Sequence, residues 1–228
     1  MSGTLADYSI DYVQGINDRF AAIGVAQLAD AANRYVRVLP LPLAARSPVP
    51  RVCGPVFPVE TDNDMLPCLQ ALAAAPPGWV LLIGNTAETS EALVGDIFTV
   101  AAQSQGLSGV VVHGAVRDLA DLDDMAIPVF STSVTFVSAR TTDRIANAVP
   151  GQVTLAGVTV SPGDWIFGDP DGFLVVPASQ VGAVMIAGRV LRDREEKLKA
   201  ALREGQRLAR LTGLDDFLAG AAPLGFVP

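Results

Sequence analysis

The fold of this chain is constrained most by two apolar segments of strand length that flank one helix-length segment. Residues 79–84 carry no charge, and residues 109–113 open with a glycine and three valines. Runs of this kind are typical of central strands that are covered on both faces of a sheet. Residues 92–107 are predicted to hold the helix between them, which begins near Gly95-Asp96 and ends at Gly106. We therefore expect a strand-helix-strand unit at the centre of an α/β fold.

Charged residues follow the second of these strands. Arg117 and Asp118 come just after it, and Gly95 and Asp96 begin the preceding helix. Open α/β folds bind their ligands beyond the carboxyl ends of the strands. The sequence therefore predicts a functional site within residues 95–118.

The segments before this unit are predicted to be helical and then extended. Residues 9–21 and 25–35 are expected to form two helices. Four prolines within residues 38–50 exclude a regular helix, so an extended connector is expected there. Residues 51–59 are predicted to form an edge strand with a bend at Gly54.

The other segments of the chain are predicted to form a helix, hairpins and a long final helix. Residues 61–64 are predicted to cap a helix that ends near Ala75. Residues 153–160 alternate, and a tight turn at residues 169–172 joins two further strands. An α/β layer against a β layer, or two sheets in one domain, fits this order better than a doubly wound fold. A last helix is predicted over about residues 179–211, and the apolar tail after it suggests a subunit contact.

One α/β domain is expected over residues 1–228, because 50% of the residues are hydrophobic and 18% are charged. Its core would span about residues 25–177. A C-terminal helical arm and tail would span about residues 178–228, and the N-terminal segment would be helical.

The composition argues against several classes of partner. With a net charge of −8 and no basic stripe, nucleic acid is not expected to bind directly. No apolar run reaches the ~20 residues that cross a bilayer, and no signal peptide is evident, so a cytoplasmic protein without membrane contact is expected. His113 is the single histidine, which excludes a multi-histidine metal site. Any metal would be held by oxygen ligands, which favours Mg²⁺, Mn²⁺ or Ca²⁺.

The charged residues of the predicted site suit a 2-oxo acid as substrate. The planar guanidinium of Arg117 is a good partner for a carboxylate or an enolate oxygen. Asp118 offers an oxygen ligand to Mg²⁺, which keeps several waters and takes further ligands from its substrate. The amides after Gly95 would form an anion cradle, and Asp96 would orient a water for proton transfer. A surface ion pair at Arg117 and Asp118 with a helix cap at Asp96 fits the same spacing equally well.

Several motifs occur together in one order along the chain. They are Gly95-Asp96, Gly109-Val-Val-Val-His-Gly-Ala-Val-Arg-Asp118, Ile127-Pro-Val-Phe130, Val160-Ser-Pro-Gly-Asp164 and Asp169-Pro-Asp-Gly-Phe-Leu-Val-Val-Pro177. As a set they resemble the class II 4-hydroxy-4-methyl-2-oxoglutarate aldolases, a family that also includes the regulator of ribonuclease activity A. The resemblance covers about residues 25–205. It implies a single β/β/α domain of the swivelling type, assembled as a homotrimer or as a homohexamer of two stacked trimers.

The resemblance also implies an enzyme rather than a regulator. The aldolases carry an acid followed, after twenty residues, by Arg-Asp, whereas the ribonuclease regulators lack the first acid; Asp96 and Arg117 enclose twenty residues here. By this resemblance Asp118 would hold Mg²⁺ or Mn²⁺ and Arg117 would bind the pyruvyl group. Asp96 would hold the water that protonates the pyruvate enolate. Three residues would meet the substrate carboxylate through the backbone: Gly95, Ile97 and Phe98.

Outer positions of the site follow from the same resemblance. Asp121 matches an acid found three residues after the aspartate. Glu195 matches an acid that a neighbouring subunit brings to the outer shell of the metal, with Glu196 as the alternative. His113 departs from the family, which has a small acid or amide there, and it would be structural or would tune the substrate range.

The implied activity is the metal-dependent retro-aldol cleavage of 4-hydroxy-4-methyl-2-oxoglutarate or 4-carboxy-4-hydroxy-2-oxoadipate to pyruvate and a second oxo acid. Oxaloacetate decarboxylation would follow from the same enolate chemistry. The alternatives are a non-catalytic protein like the ribonuclease regulators, and a lyase on the same scaffold that acts on a different 2-oxo acid.

Overall fold

The computed structural model describes residues 8–87, 91–141 and 149–225. Within them, the β structure consists of a nine-stranded mixed sheet in the order β1-β11-β10-β3-β4-β6-β7-β2, with β5 beside β6, and a two-stranded ribbon. The strands are β1 (Arg37–Val38), β2 (Ala44–Ala45), β3 (Val52–Thr61), β4 (Val80–Asn85), β5 (Ala92–Val94), β6 (Gly109–Val116), β7 (Val129–Val134), β8 (Val153–Leu155), β9 (Val158–Val160), β10 (Trp165–Asp169) and β11 (Gly172–Val176). The helices are α1 (Ile10–Ile23), α2 (Val25–Ala31), α3 (Met65–Ala74), α4 (Asp96–Ser104), α5 (Leu119–Leu122), the 3-10 turn η1 (Ala178–Gln180), α6 (Val181–Arg203), α7 (Leu208–Thr212) and α8 (Leu214–Leu218).

Strand β3 joins an antiparallel half of the sheet to a parallel half. Residues 52–55 pair antiparallel with β10, and residues 56–61 pair parallel with β4. The prediction of a bent edge strand is therefore wrong, because β3 is central and nearly all of it is buried. Pro55 lies where the partner strand changes, and Pro58 directs its carbonyl to the amide of Gly151, away from β4. Both prolines thus stand where the strand needs no N–H donor.

The predicted strand-helix-strand unit is confirmed, including the start of its helix near Gly95. β4 and β6 pair in parallel, and α4 lies between them in the chain. Residues 92–94, just before that helix, form a strand that was not predicted, β5, which pairs with β6 beyond the end of β4. All three side chains of β5 are buried, which suits a strand inside a layered fold better than the first turn of an amphipathic helix. The helix consequently begins at Asp96.

The predicted hairpins are present, but they do not form a β layer of their own. β10 and β11 pair antiparallel, and β10 also pairs with β3, so both strands belong to the large sheet. Of the described strands, β8 and β9 stand apart as a ribbon. Val153, Leu155 and Val160 of the ribbon pack in one cluster with Val80 and Val111 of the sheet. The expected second sheet is therefore a two-stranded cover on a single mixed sheet.

Helices pack on the sheet in two groups. The capping prediction for α3 is confirmed, since the Asp64 carboxylate accepts a hydrogen bond from the amide of Leu66. Leu72 of α3 and Phe98 of α4 pack in one core cluster with Leu81 of β4. The second group consists of α1, α2 and α6, which pack with the antiparallel strands β10 and β11. An α/β domain with an N-terminal helical segment and a long C-terminal helix is thus confirmed.

The C-terminal helix ends earlier than predicted. α6 spans 23 residues and stops at Arg203, before Gly205, whose φ of 89° lies in the left-handed region. α7 and α8 follow, and neither contains a buried residue. None of the helices in the described part of the chain is both long and apolar enough to cross a membrane.

Candidate active site

The pairing of β5 with β6 brings the two charged ends of residues 95–118 together. Ala92 is in register with Ala115, and Val94 with Val116, so the two strands end at the same edge of the sheet. Just beyond that edge the amide of Arg117 donates to the carbonyl of Val94 at 3.0 Å. Gly95 and Asp96, which follow β5, therefore lie beside Arg117, which follows β6.

Asp118 is held against the start of α4. Its Oδ2 atom lies 3.1 Å from Nε of Arg117 and 3.4 Å from the amide nitrogen of Asp96. The side chains of Arg117 and Asp118 are 37% and 30% exposed, so a solute reaches both of them. This arrangement places a guanidinium, a carboxylate and a helix start within one small volume.

Gly95 allows this close approach because it has no side chain. A Cβ atom at this position would lie 2.4 Å from Oδ2 of Asp118 and 3.1 Å from Cγ of Arg117. Gly95 is the N-cap of α4 and supplies no capping side chain. The first amides of a helix lack hydrogen-bond partners within the helix. The amides of Ile97 and Phe98, at the start of α4, are therefore of the kind that binds anions.

Asp118 has an unusual backbone conformation. Its φ and ψ of 59° and 42° lie in the left-handed region, which aspartate visits more readily than most residues. Non-glycine residues in this region concentrate at functional sites, where the surrounding structure fixes them. Here the carbonyl of Asp118 also accepts the amides of Asp121 and Leu122, so α5 helps to hold the residue in place.

A cavity of about 200 Å³ opens beside these residues, between α3 and α4. Its walls are mostly apolar, and its charged members are Asp96 and Arg117. The lining residues are Met65, Leu69, Leu72, Ala92, Leu93, Val94, Gly95, Asp96, Ile97, Phe98, Ala101, Arg117 and Ser138. The predicted substrate-binding residues therefore border one solvent-accessible cavity.

The site offers a metal one carboxylate rather than a cluster. No three histidine, cysteine, aspartate or glutamate side chains of the described residues lie together as a metal site. Oδ2 of Asp118 is engaged by Arg117 and Asp96, whereas no described residue donates a hydrogen bond to Oδ1. A single exposed carboxylate oxygen fits Mg²⁺ or Mn²⁺, which retain waters and bind substrate oxygens, and does not fit an ion that needs several protein ligands.

Two other residues predicted for the site, Asp121 and His113, do not line the cavity. Asp121 is exposed on α5, one turn beyond Asp118. His113 is half-buried on β6, pairs in register with Gly84, and does not line the cavity. Its Nδ1 atom is buried without a hydrogen-bond partner among the described residues.

Glu195 and Glu196 have partners elsewhere in their own chain. Oε2 of Glu195 accepts a hydrogen bond from Nε2 of Gln27 at 2.8 Å, which links α6 to α2. Glu196 pairs with Lys199 and Arg192, and these cations lower the pKa of its carboxyl, with the hydrogen bond from Lys199 as the largest cause. Within the described chain, neither glutamate is bonded to Asp96, Arg117 or Asp118. The role of Glu195 in a neighbouring subunit's site stays a prediction.

Asn85 at the end of β4 was not singled out by the sequence, whereas its partner Asn63 belongs to the predicted cap of α3. The amide of Asn63 donates to Oδ1 of Asn85 at 2.9 Å, and Nδ2 of Asn85 returns a bond to Oδ1 of Asn63 at 2.7 Å. The pair fastens the end of β4 to the start of α3. A polar residue directly after a buried apolar strand was the available signal for Asn85.

Ser138 was also missed as a lining residue of the cavity. Backbone hydrogen bonds place Ser138 beside β5. The amide of Ala92 donates to the carbonyl of Val137, and the amide of Ala139 donates to the carbonyl of Ala92. Nothing in the local sequence indicates that this segment lies beside β5.

A family model described as RraA-like (Aldolase/RraA) matches residues 25–175. One curated relative, named "Putative 4-hydroxy-4-methyl-2-oxoglutarate aldolase", from Halalkalibacterium halodurans, is 31% identical over 153 residues, which cover 67% of this chain and 72% of the relative. Protein DlpA of Legionella pneumophila is 34% identical over 133 residues, and the match spans 58% of this chain but 22% of that protein.

Two solved structures resemble this fold, one over most of the chain and one over about two thirds of it. An uncharacterized protein from Pseudomonas syringae is 25% identical with a TM-score of 0.76, and the match covers 92% of this chain and 96% of that one. The RNA-processing inhibitor RraA of Thermus thermophilus is 27% identical with a TM-score of 0.62, and the match covers 68% of this chain and 92% of that one.

Proposed function

Because this chain belongs to the RraA-like family, we propose that it is a carbon-carbon lyase that releases pyruvate from 4-hydroxy-2-oxo acids in a divalent-metal-dependent retro-aldol reaction. The substrates would include 4-hydroxy-4-methyl-2-oxoglutarate and 4-carboxy-4-hydroxy-2-oxoadipate, and oxaloacetate would be decarboxylated through the same enolate. The observation that carries the proposal is the meeting of Asp96 with Arg117 and Asp118 at one edge of the sheet. The names of curated relatives support the same class of activity.

In the proposed reaction the C3–C4 bond of the substrate breaks, and its electron pair becomes the enolate of pyruvate. The C4 hydroxyl loses its proton and becomes the carbonyl of the second product. Arg117 donates hydrogen bonds to the oxygen that gains negative charge, which lowers the energy of the transition state. A divalent cation, Mg²⁺ or Mn²⁺, at Asp118 would polarise the keto group as a Lewis acid.

The start of α4 and Asp96 would perform the two remaining tasks. The amides of Ile97 and Phe98 would bind the substrate carboxylate at the positive end of the helix dipole. The Asp96 side chain, which no described residue engages, would orient the water that delivers a proton to C3 of the enolate. Gly95 leaves the space in which the carboxylate of Asp118 approaches this helix start.

We also propose that a second copy of the chain completes the site, within a homotrimer or homohexamer. In that assembly Glu195 of a neighbouring subunit would approach the waters around the cation, with Asp121 on the other side. This part of the proposal rests on the family resemblance and on the exposed apolar residues of α8, Phe217 and Leu218.

The test is a pyruvate-release assay coupled to lactate dehydrogenase, run on the two branched substrates and on oxaloacetate. We expect NADH oxidation with Mg²⁺ or Mn²⁺ and none after treatment with EDTA. Turnover that persists in EDTA contradicts the metal requirement, and no turnover with any of the three substrates contradicts the lyase.

The second candidate function is the non-catalytic regulation of a ribonuclease. The similarity to the RNA-processing inhibitor RraA favours it. Asp96 argues against it, because the regulators lack that acid. Inhibition of a purified endoribonuclease by this protein, together with no lyase activity, would favour the regulator.

A further inference from the structure

The cavity beside the proposed catalytic residues extends away from them between two helices. Gly95, Asp96 and Arg117 border its polar end. Met65, Leu69 and Leu72 of α3 face Phe98 and Ala101 of α4 along the rest of its walls. A substrate whose pyruvyl half is held at Arg117 would therefore have an apolar volume next to its other half.

Among the described residues, the lining of the cavity offers no second cation for a second carboxylate. Arg117 is the only positively charged side chain in that described lining, and Arg117 is already paired with Asp118 at 3.1 Å. The other charged lining residue is Asp96, which repels an anion. A carboxylate that lies against these apolar walls loses part of its water and gains no charged partner from the described lining, which is unfavourable. An apolar group instead gains free energy by leaving water.

The volume of the cavity limits the size of the substrate group that it can hold. Its volume is about 200 Å³. A buried cavity on the order of 150 Å³ lined by apolar side chains binds benzene in another protein. A phenyl ring or a branched alkyl group therefore fits the space between α3 and α4.

We propose that the cavity binds the C4 substituent of the substrate, and that the preferred substrates are 4-hydroxy-2-oxo acids whose C4 carries an aryl or branched alkyl group. This inference rests on the proposed function and narrows its substrate class. Dicarboxylic substrates such as 4-hydroxy-4-methyl-2-oxoglutarate are then cleaved with lower kcat/KM. For 4-hydroxy-2-oxo-4-phenylbutanoate the C3–C4 bond breaks, the C4 hydroxyl loses its proton, C3 gains one, and the products are pyruvate and benzaldehyde.

The first experiment compares kcat/KM for 4-hydroxy-2-oxo-4-phenylbutanoate and 4-hydroxy-4-methyl-2-oxoglutarate at saturating Mg²⁺. We expect the aryl substrate to be favoured by about 10-fold or more, the scale on which an apolar pocket discriminates between substituents. Equal values, or a preference for the dicarboxylate, overturn the inference and leave the lyase itself standing.

A variant of the cavity wall tests the charge argument directly. Leu69 is 48% exposed on α3, so an arginine in its place keeps the chain folded and brings a cation to the cavity. We expect Leu69→Arg to lower the aryl-to-dicarboxylate ratio of kcat/KM by about 10-fold or more. The matched control is Ala74→Arg, at the exposed end of the same helix and outside the lining, which should keep the wild-type ratio. The inference is overturned if Leu69→Arg leaves the ratio of kcat/KM unchanged and alters the mass of the assembly. That result would show that the cavity is covered by another subunit rather than by substrate.

A binding measurement separates this inference from the proposed function. Calorimetry with 2-oxo-4-phenylbutanoate and 2-oxoglutarate, which share the 2-oxo acid half and lack the hydroxyl needed for cleavage, reports on the cavity without turnover. Tighter binding of the phenyl compound supports the cavity assignment even if no substrate is cleaved. Tighter binding of 2-oxoglutarate overturns it even if the enzyme is active.

Discussion

Arg117 supplies positive charge to the cavity, and its single ionic partner among the described residues is the adjacent Asp118. We expect Arg117→Ala to lower kcat/KM for pyruvate release by about 10²-fold or more, because a donor to the developing enolate is lost. Arg117→Lys should recover little, since an ammonium lacks the planar fork. The coupled pyruvate assay measures both. Arg189→Ala, on the exposed face of α6, is the control that keeps wild-type rates; near-normal kinetics in Arg117→Ala would remove this residue from the site.

Asp118 combines a functional carboxylate with a left-handed backbone. Asn is the suitable replacement, because it tolerates that conformation and removes the charge. We expect Asp118→Asn to unfold at a temperature close to that of the wild type but to lose both activity and the stabilisation by Mg²⁺ with pyruvate, since binding to the folded state raises Tm. A thermal melt with and without the two ligands tests this, and a wild-type Tm increase in Asp118→Asn would place the cation elsewhere.

The central residues of the site could be predicted from the sequence, whereas its walls could not. Asp96, Arg117 and Asp118 lie within one strand-helix-strand connection. In such a connection the spacing along the chain determines which side chains come together. Asn85 and Ser138 depend on contacts between segments that are far apart in the chain. Such contacts leave no local pattern, which is why the apolar side of the cavity became visible in the structure alone.

At the scale of elements, the pattern of apolar residues predicted the positions of most strands well but did not predict which strands lie next to each other in the sheet. β4, β6, β10 and β11 lie where the sequence placed them. The position of β3 was missed because Gly54-Pro55 was interpreted as a bend, whereas the change of partner strand at this point accommodates the proline within a central strand. β5 at residues 92–94 was missed because three apolar residues fit a strand and a helix equally well, and only the pairing with β6 decides for the strand.

The contact between α2 and α6 depends on a glycine. A Cβ at Gly188 would lie 2.5 Å from Cδ2 of Leu28 and 3.1 Å from Cγ2 of Ile23, which are both buried. We expect Gly188→Ala to lower the free energy of unfolding by about 1–3 kcal/mol through overpacking. Gly182 lies in the same helix with nothing within 4 Å, so Gly182→Ala should raise it by about 0.5–1 kcal/mol. Urea titrations measure both, and a change of the same sign in the two variants would contradict this packing.

At the scale of the whole molecule, the arm formed by α7 and α8 extends from the core without burying a residue of its own. Phe217 and Leu218 are 47% and 72% exposed, an arrangement that suits a contact between subunits. We expect Phe217→Ser with Leu218→Ser to shift the mass measured by light scattering towards the monomer. Asp215→Ser, on the same helix, is the matched control and should leave the assembly intact. An unchanged mass in the double variant would remove α8 from the subunit contact.

Asp96 has an evolutionary consequence. Its backbone amide takes part in the site, whereas no described residue holds its carboxylate by a hydrogen bond or ion pair. Every residue except proline keeps that amide, so a single base change in the gene can replace the carboxylate of Asp96 and leave the hydrogen bond to Asp118 available. Loss of the acid of the proposed lyase would therefore require no rebuilding of this edge of the sheet.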